Sequence, residues 1–392
     1  MKGIVILGST GSIGQSALEV IRHFPREFRV VGLSANSNIR LLHKQIKEFR
    51  PDFACVGDMD SGKSLKQELK ATRVKLLSGE EGLETLIENK QAQEVLIAIS
   101  GSAALPPLLK AIESGKQIAL ANKEALVMAG SIIMNLAQRK KINIIPVDSE
   151  QSAIWQCLHG QDQLKLKNIY LTASGGPFRQ VARKELKNIS VSRVLKHPRW
   201  KMGKKISVDS ANLMNKGLEL LEAMFLFNLP CDKIKIIIHP EAIVHSMVEF
   251  IDGVVLAQLA ATDMRIPIQY AFSYPDRFSN SLPCVDFYKL GGLHFEKPDF
   301  KKFPCLMLAY RAASELGTMP AVLNAANEVS VEGFLNRRLE FLSIPKIIEK
   351  VLDRHRNKTN PELGDIREAD AWARREAVNF INRLSNSANG AG

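Results

Sequence analysis

At 392 residues the chain is too long for one hydrophobic core, so two or three domains are expected. Its composition, 45% hydrophobic and 24% charged, excludes disordered and fibrous classes, and no apolar run reaches the roughly 20 residues that span a bilayer. The formal charge is +12, but the cations are dispersed and no zinc-finger, basic-zipper or RNA-recognition signature accompanies them, which argues against nucleic acid and suits an enzyme of small polyanions.

A strand begins almost at Met1 and leaves no room for a signal peptide, and the five cysteines are scattered without a C-x-x-C pair. The expectation is a reduced, cytoplasmic protein. Apolar runs at 4–7, 30–33, 53–56, 95–99, 117–121 and 142–147 alternate with helix-spaced segments such as 16–23, 40–49 and 105–114. That alternation predicts an α/β fold, with a Rossmann-like doubly wound parallel sheet over residues 1–148. Over 149–274 the order changes. Strand candidates at 168–172, 233–238 and 243–250 flank a helix near 212–227, and Asp252-Gly253 reads as a hairpin turn before 254–259. This predicts an α+β catalytic domain with a largely antiparallel sheet. Residues 275–304, with Pro275, Pro283, Pro298 and Pro304, read as a linker. Helical spacing at 306–316, 320–336, 343–354 and 366–384 predicts a C-terminal helical bundle over 305–385, and 386–392 reads as a frayed tail.

The first strand runs into Gly8-Ser9-Thr10-Gly11-Ser12-Ile13-Gly14 and then a helix. Glycines there let backbone approach a pyrophosphate, and the helix N-terminus offers N–H groups to it. After the second strand, Ser34-Ala35-Asn36-Ser37-Asn38 holds no carboxylate to take a ribose 2′-hydroxyl. Hydroxyl and amide donors with Arg40 beyond favour NADPH. Asp148 and Glu150 follow the last expected strand of the first region. Two apart in extended geometry they point the same way and can converge on a hard cation such as Mg²⁺ or Mn²⁺. Asn122-Lys123-Glu124, just before an expected strand end, places an ammonium and an amide near the cofactor. The turn with Ser174, Gly175 and Gly176 is a candidate phosphate cradle. On one helix Asn215 and Glu219 share a face with Lys216 beside them, which could supply a phosphate clamp and a third metal carboxylate. His197-Pro198-Arg199-Trp200-Lys201-Met202-Gly203-Lys204-Lys205 reads as a mobile flap over a bound ligand. His239 and His245 on one strand would stand about 20 Å apart, too far to share an ion, and read as structural. The polar residues of Leu323-Asn324-Ala325-Ala326-Asn327-Glu328 could point at the active site or bond between helices, the second being favoured.

The ordered strings G-S-T-G-S-I-G, L-A-N-K-E, P-V-D-S-E, S-G-G-P-F, H-P-R-W-K-M-G, K-I-S-V-D-S-A, M-N-K-G-L-E and L-N-A-A-N-E carry a resemblance. Over nearly its whole length the chain resembles the 1-deoxy-D-xylulose 5-phosphate reductoisomerase family. The resemblance implies a homodimer whose region 149–274 supplies the catalytic and dimerisation surfaces, with residues 197–205 as the flap. It implies that Asp148, Glu150 and Glu219 hold Mg²⁺, Mn²⁺ or Co²⁺, and that these three, with Lys123 and His197, form the catalytic group. Lys123, Ser149, Glu150, Ser174, His197, Trp200, Met202, Ser210, Asn215 and Lys216 would contact substrate. Gly8, Thr10, Gly11, Ser12, Ile13, Asn36, Ser37, Asn38, Asn122, Glu124 and Gly203 would contact NADPH. The implied reaction is a metal-dependent skeletal rearrangement, by retro-aldol cleavage and re-addition or by a 1,2-shift. NADPH reduction to 2-C-methyl-D-erythritol 4-phosphate follows, a step of isoprenoid precursor biosynthesis, and inhibitors of the fosmidomycin type would chelate the metal. Where the family often has a Gly and a basic residue after the second strand, this chain has Asn36-Ser37, so its grip on the 2′-phosphate would use other donors. Two competing classes remain: another NADP oxidoreductase, which needs no metal triad, and a nucleotide-sensing module without turnover.

Overall fold

The computed structural model describes residues 1–57, 59–69, 73–196 and 203–389. The chain falls into two compact units: residues 1–125, 133–152 and 263–283 form the first, and 126–132, 153–262 and 284–392 the second.

The first unit is built on a parallel sheet of seven strands among the described residues: β1 Lys2–Leu7, β2 Phe28–Ala35, β3 Phe53–Val56, β4 Lys75–Ser78, β5 Glu94–Ile97, β6 Gln117–Leu120 and β7 Ile144–Pro146. Their order is β4-β3-β2-β1-β5-β6-β7, every neighbouring pair parallel. β1 and β5 are buried on both faces, which is why they read as unbroken apolar runs. β4 is absent from the sequence reading. At the sheet edge its Lys-Leu-Leu-Ser is only half covered and shows no such run. Strand order reverses at β1 and β5, so the crevice outside their carboxyl ends is where doubly wound folds bind ligands. The helix Arg265–Ser273 returns to this unit, where the Lys2 ammonium donates to the Phe272 carbonyl at 2.8 Å and Phe28 packs on Phe272.

The second unit carries β8 Leu166–Ala173, β9 Ile234–Ile238, β10 Val244–Phe250 and β11 Val255–Leu259 in the order β11-β10-β8-β9. β10 pairs antiparallel with β8 and β11, while β8 and β9 run parallel, so the expected antiparallel character holds with one exception. Asp252 and Gly253 make the β10–β11 turn, with the Asp252 carboxylate accepting from the Val254 N–H at 3.0 Å. The helix expected near 212–227 is Met214–Leu226, and a further helix, Lys204–Ala211, precedes it, the two set apart by Leu213 in a left-handed conformation. Four further helices, Cys305–Glu315, Met319–Leu335, Ser343–Arg354 and Leu363–Asn389, form the C-terminal bundle. The last continues past residue 384, where the sequence reading ends it. His239 is a buried structural histidine, its ring nitrogens bonded to the His294 carbonyl and the Ile243 N–H. No helix among the described residues is long and apolar enough to cross a membrane, and the five cysteines are free thiols.

Candidate active site

In the first unit, β1 ends at Leu7 and Gly8 turns the chain at φ +90°. Gly11 stands at the N-cap of the helix Ser12–His23, which has neither a capping side chain nor an acidic residue in its first turn. Its leading N–H groups are therefore left for an anionic ligand. Gly14 is obligatory for this shape, because a Cβ there would lie 2.4 Å from the Gly8 carbonyl and 2.5 Å from the Ser9 Cα. Thr10, Ser12 and Ile13 lie on this loop and helix start. Backbone that only glycine permits, facing an uncapped helix end, fits a dinucleotide pyrophosphate.

Asn36, Ser37 and Asn38 follow β2 and are exposed. The Asn38 side chain accepts from the Leu41 N–H at 3.3 Å and so caps the next helix, while Asn36 Oδ1 sits 2.5 Å from where a Gly57 Cβ would be. Asn122 and Lys123 lie after β6 rather than before a strand end, and Glu124 begins the helix Glu124–Lys140 with Lys123 at its N-cap. The Asn122 amide donates to the Ile99 and Gly101 carbonyls at 2.9 and 3.0 Å and accepts from the Ala125 N–H at 2.8 Å. Its side chain therefore ties the loop after β5 to this helix. The Lys123 ammonium pairs with the Asp148 carboxylate at 2.5 Å, both largely buried.

Strand alternation does not align Asp148 and Glu150. β7 stops at Pro146, and Glu150 belongs to the first turn of the helix Ser149–Leu158. Three residues of extended chain are too few to be told from a strand-to-helix junction by alternation alone. The Ser149 hydroxyl donates to the Glu150 carboxylate at 2.6 Å.

In the second unit, β8 ends at Ala173 and the turn Ser174-Gly175-Gly176 follows, both glycines at positive φ. A Cβ on Gly176 would lie 2.6 Å from the Ser210 carbonyl, so the missing side chain lets the Ser174 turn seat against the helix that carries Ser210. Gly203 is the N-cap of that helix and its carbonyl accepts from the Ser207 hydroxyl at 3.0 Å. The next helix presents Asn215, Lys216 and Glu219 together, as its period predicts. The Asn215 amide donates to the Glu219 carboxylate at 2.5 Å, and the Lys216 ammonium pairs with the same group. Glu219 is 0% exposed and Lys216 3%. Two carboxylate oxygens in such a place demand cations or donors around them. His197, Trp200 and Met202 lie outside the described residues.

Sequence reasoning missed Asp209. It is buried, pairs with the Lys205 ammonium at 3.0 Å and accepts from the Asn327 amide at 2.9 Å. The Asn327 bond is the interhelical role expected of the L-N-A-A-N-E segment, as is the Glu328–Arg374 pair at 2.6 Å. A charged residue on a helix flank gives no signal for such burial.

Three family models match in succession. They are 1-deoxy-D-xylulose 5-phosphate reductoisomerase over residues 4–130, its C-terminal domain over 144–227, and the DXP reductoisomerase C-terminal domain over 259–376. The 1-deoxy-D-xylulose 5-phosphate reductoisomerase of Caldanaerobacter subterraneus subsp. tengcongensis is 53% identical over 95% of this chain and 98% of its own. That of Pelotomaculum thermopropionicum is 49% identical over 98% of this chain and 100% of its own. A DOX-P reductoisomerase solved in complex with NADPH, fosmidomycin and magnesium superposes with a TM-score of 0.94 at 38% identity, covering 98% of this chain and 99% of that one. The Zymomonas mobilis enzyme in complex with NADPH gives 0.91 at 39% identity, covering 97% and 99%. With about half of the residues aligned to these two bacterial relatives identical and almost no chain left over on either side, this protein belongs to the 1-deoxy-D-xylulose 5-phosphate reductoisomerase family.

Proposed function

We propose that the chain converts 1-deoxy-D-xylulose 5-phosphate to 2-C-methyl-D-erythritol 4-phosphate, using NADPH and a divalent metal, as a homodimer in the cytoplasm. The full-length identity to reductoisomerases carries this reading. The Gly8–Gly14 loop takes the pyrophosphate, with Thr10, Gly11, Ser12, Ile13, Asn122, Glu124 and Gly203 around the nucleotide and Asn36, Ser37 and Asn38 toward its 2′-phosphate. Asp148, Glu150 and Glu219 hold the metal. Three carboxylate oxygens suit a hard cation such as Mg²⁺ or Mn²⁺ and leave positions open for substrate oxygens.

When bound, the ion supplies Lewis acidity at the substrate ketone and its neighbouring hydroxyl, and the dinucleotide supplies hydride to the rearranged aldehyde. The protein's part is binding, orientation and exclusion of water. Ser174, Ser210, Asn215 and Lys216 grip the phosphate end of the substrate, while Lys123 and Ser149 orient the reacting end and steady the carboxylates. Region 149–274 carries the catalytic surface, and His197, Trp200 and Met202 in the flap 197–205 close over the carbon chain. Closure keeps fragments together whether rearrangement runs by retro-aldol cleavage or by a 1,2-shift.

Exposed apolar side chains in the second unit, Ile251, Val254 and Val255 at the hairpin with Phe287, Tyr288 and Phe295, favour the homodimer. The free thiols suit a reducing compartment. The test is NADPH oxidation with 1-deoxy-D-xylulose 5-phosphate and Mn²⁺, with and without EDTA. Turnover abolished by EDTA and restored by metal is expected. Absence of turnover, or turnover indifferent to EDTA, overturns the reading, and sedimentation as a monomer overturns the dimer.

A further inference from the structure

Gln45 lies on the helix Ile39–Phe49 among its buried residues, with Leu42 and Ile46, and is 5% exposed. A side-chain amide on that apolar face destabilises the fold unless it is bonded. Both ends of it bond to one residue. Nε2 donates to the Ser9 carbonyl at 2.9 Å, and Oε1 accepts from the Ser9 hydroxyl at 2.7 Å. Ser9 is fully buried and cannot itself reach a ligand. Its N–H donates to the Ser34 carbonyl at 2.8 Å, so its N–H, carbonyl and hydroxyl are all fixed. Ser9 is also the floor on which Gly14 rests, since the position of a Gly14 Cβ falls 2.5 Å from its Cα. Whatever holds Ser9 thus sets where the N–H groups of the following helix start point.

We propose that Gln45 is a positioning residue for the dinucleotide, holding the glycine loop in its phosphate-binding shape through the reciprocal bond pair with Ser9. The inference rests on the reading that this loop takes the NADPH pyrophosphate. A residue needed only for packing could be Leu or Met, of similar size and without the burden of a buried amide. The amide is matched instead to the one loop residue that carries the backbone turn. The proposal makes Gln45 act on cofactor affinity and leave the substrate's own site alone.

The experiment measures the NADPH dissociation constant by cofactor fluorescence on the full chain without substrate, and the melting temperature of each variant. Gln45→Met should raise the dissociation constant about 5- to 10-fold, the lower end of what two neutral hydrogen bonds are worth, with the KM for substrate at saturating NADPH unchanged. Gln45→Glu should bind worse than Gln45→Met, because a carboxylate oxygen then faces the Ser9 carbonyl and adds negative charge behind the pyrophosphate. Ser9→Ala, the milder change, should weaken NADPH alone but add little in the Gln45→Met background. If Gln45→Met binds NADPH as wild type does and only melts earlier, Gln45 is a packing residue and the proposal is overturned. If wild type itself fails to bind NADPH, the reading of the loop falls and takes this inference with it.

Discussion

Each unit buries a glutamate against a lysine, and the two pairs differ in what surrounds them. In the first, Glu94 at the start of β5 meets Lys2 at the start of β1, and the Lys2 ammonium also donates to the Phe272 carbonyl. That pair staples the amino end of the sheet, opposite the crevice where doubly wound folds bind ligands. In the second, Glu219 meets Lys216 one helical turn away and also receives the Asn215 amide. There the donors crowd onto one helix face. The two pairs share a chemistry but not a purpose. The first unit presents backbone, glycines and a helix start at its crevice. The second presents side chains whose charges must be held in place.

The comparison breaks most visibly at Glu219. Glu219→Gln should lower kcat by about 100-fold or more, the upper end of what losses around a metal site cost. The variant should also need more Mn²⁺ for half-maximal rate, and full activity at limiting metal would remove Glu219 from the metal set. Next in size is Gly14→Ala. Forcing a Cβ into the Gly8 and Ser9 backbone costs about 1–3 kcal/mol, which should appear as roughly 5- to 150-fold weaker NADPH binding by fluorescence titration. Unchanged affinity would mean that the loop does not shape the cofactor site. Asn327→Leu sharpens the side-chain half of the contrast. It removes the amide from Asp209, the neighbour of Ser210, and should raise the substrate KM about 10-fold, on the scale of a hydrogen bond to a charged group. NADPH affinity should hold. Equal losses for both ligands would make the bond a general stabiliser.

The smallest effect belongs to Glu94. Burial raises its pKa above the ordinary 4.5, outweighing the Lys2 charge. A carboxyl raised in the folded state contributes stability that is complete below its unfolded pKa and lost as pH rises through the folded one. Urea midpoints of wild type relative to Glu94→Gln should therefore decline as pH climbs from about 4.5, while turnover at neutral pH changes little. Parallel midpoints across that range would show that Glu94 titrates normally.

The residue pattern alone determined a good deal. The parallel sheet was legible because strands covered on both faces must be continuously apolar, and the glycine loop because close backbone approach admits no other residue. The Asn215–Lys216–Glu219 face followed from the helical period. Residues such as β4 were illegible, since a half-covered edge strand of four residues shows neither alternation nor an apolar run. The junction after β7 was misread because three extended residues look the same whether a strand continues or a helix begins.

Tertiary structure alone decided which polar residues are buried. Nothing local distinguishes Gln45 from a solvated helix residue, or Asp209 from a surface charge. Their roles arise from Ser9 and Asn327, 36 and 118 positions away. Hydrogen bonds between such distant partners obey no period, and whether an amide or a carboxylate is worth burying depends on a partner that only the folded chain brings to it.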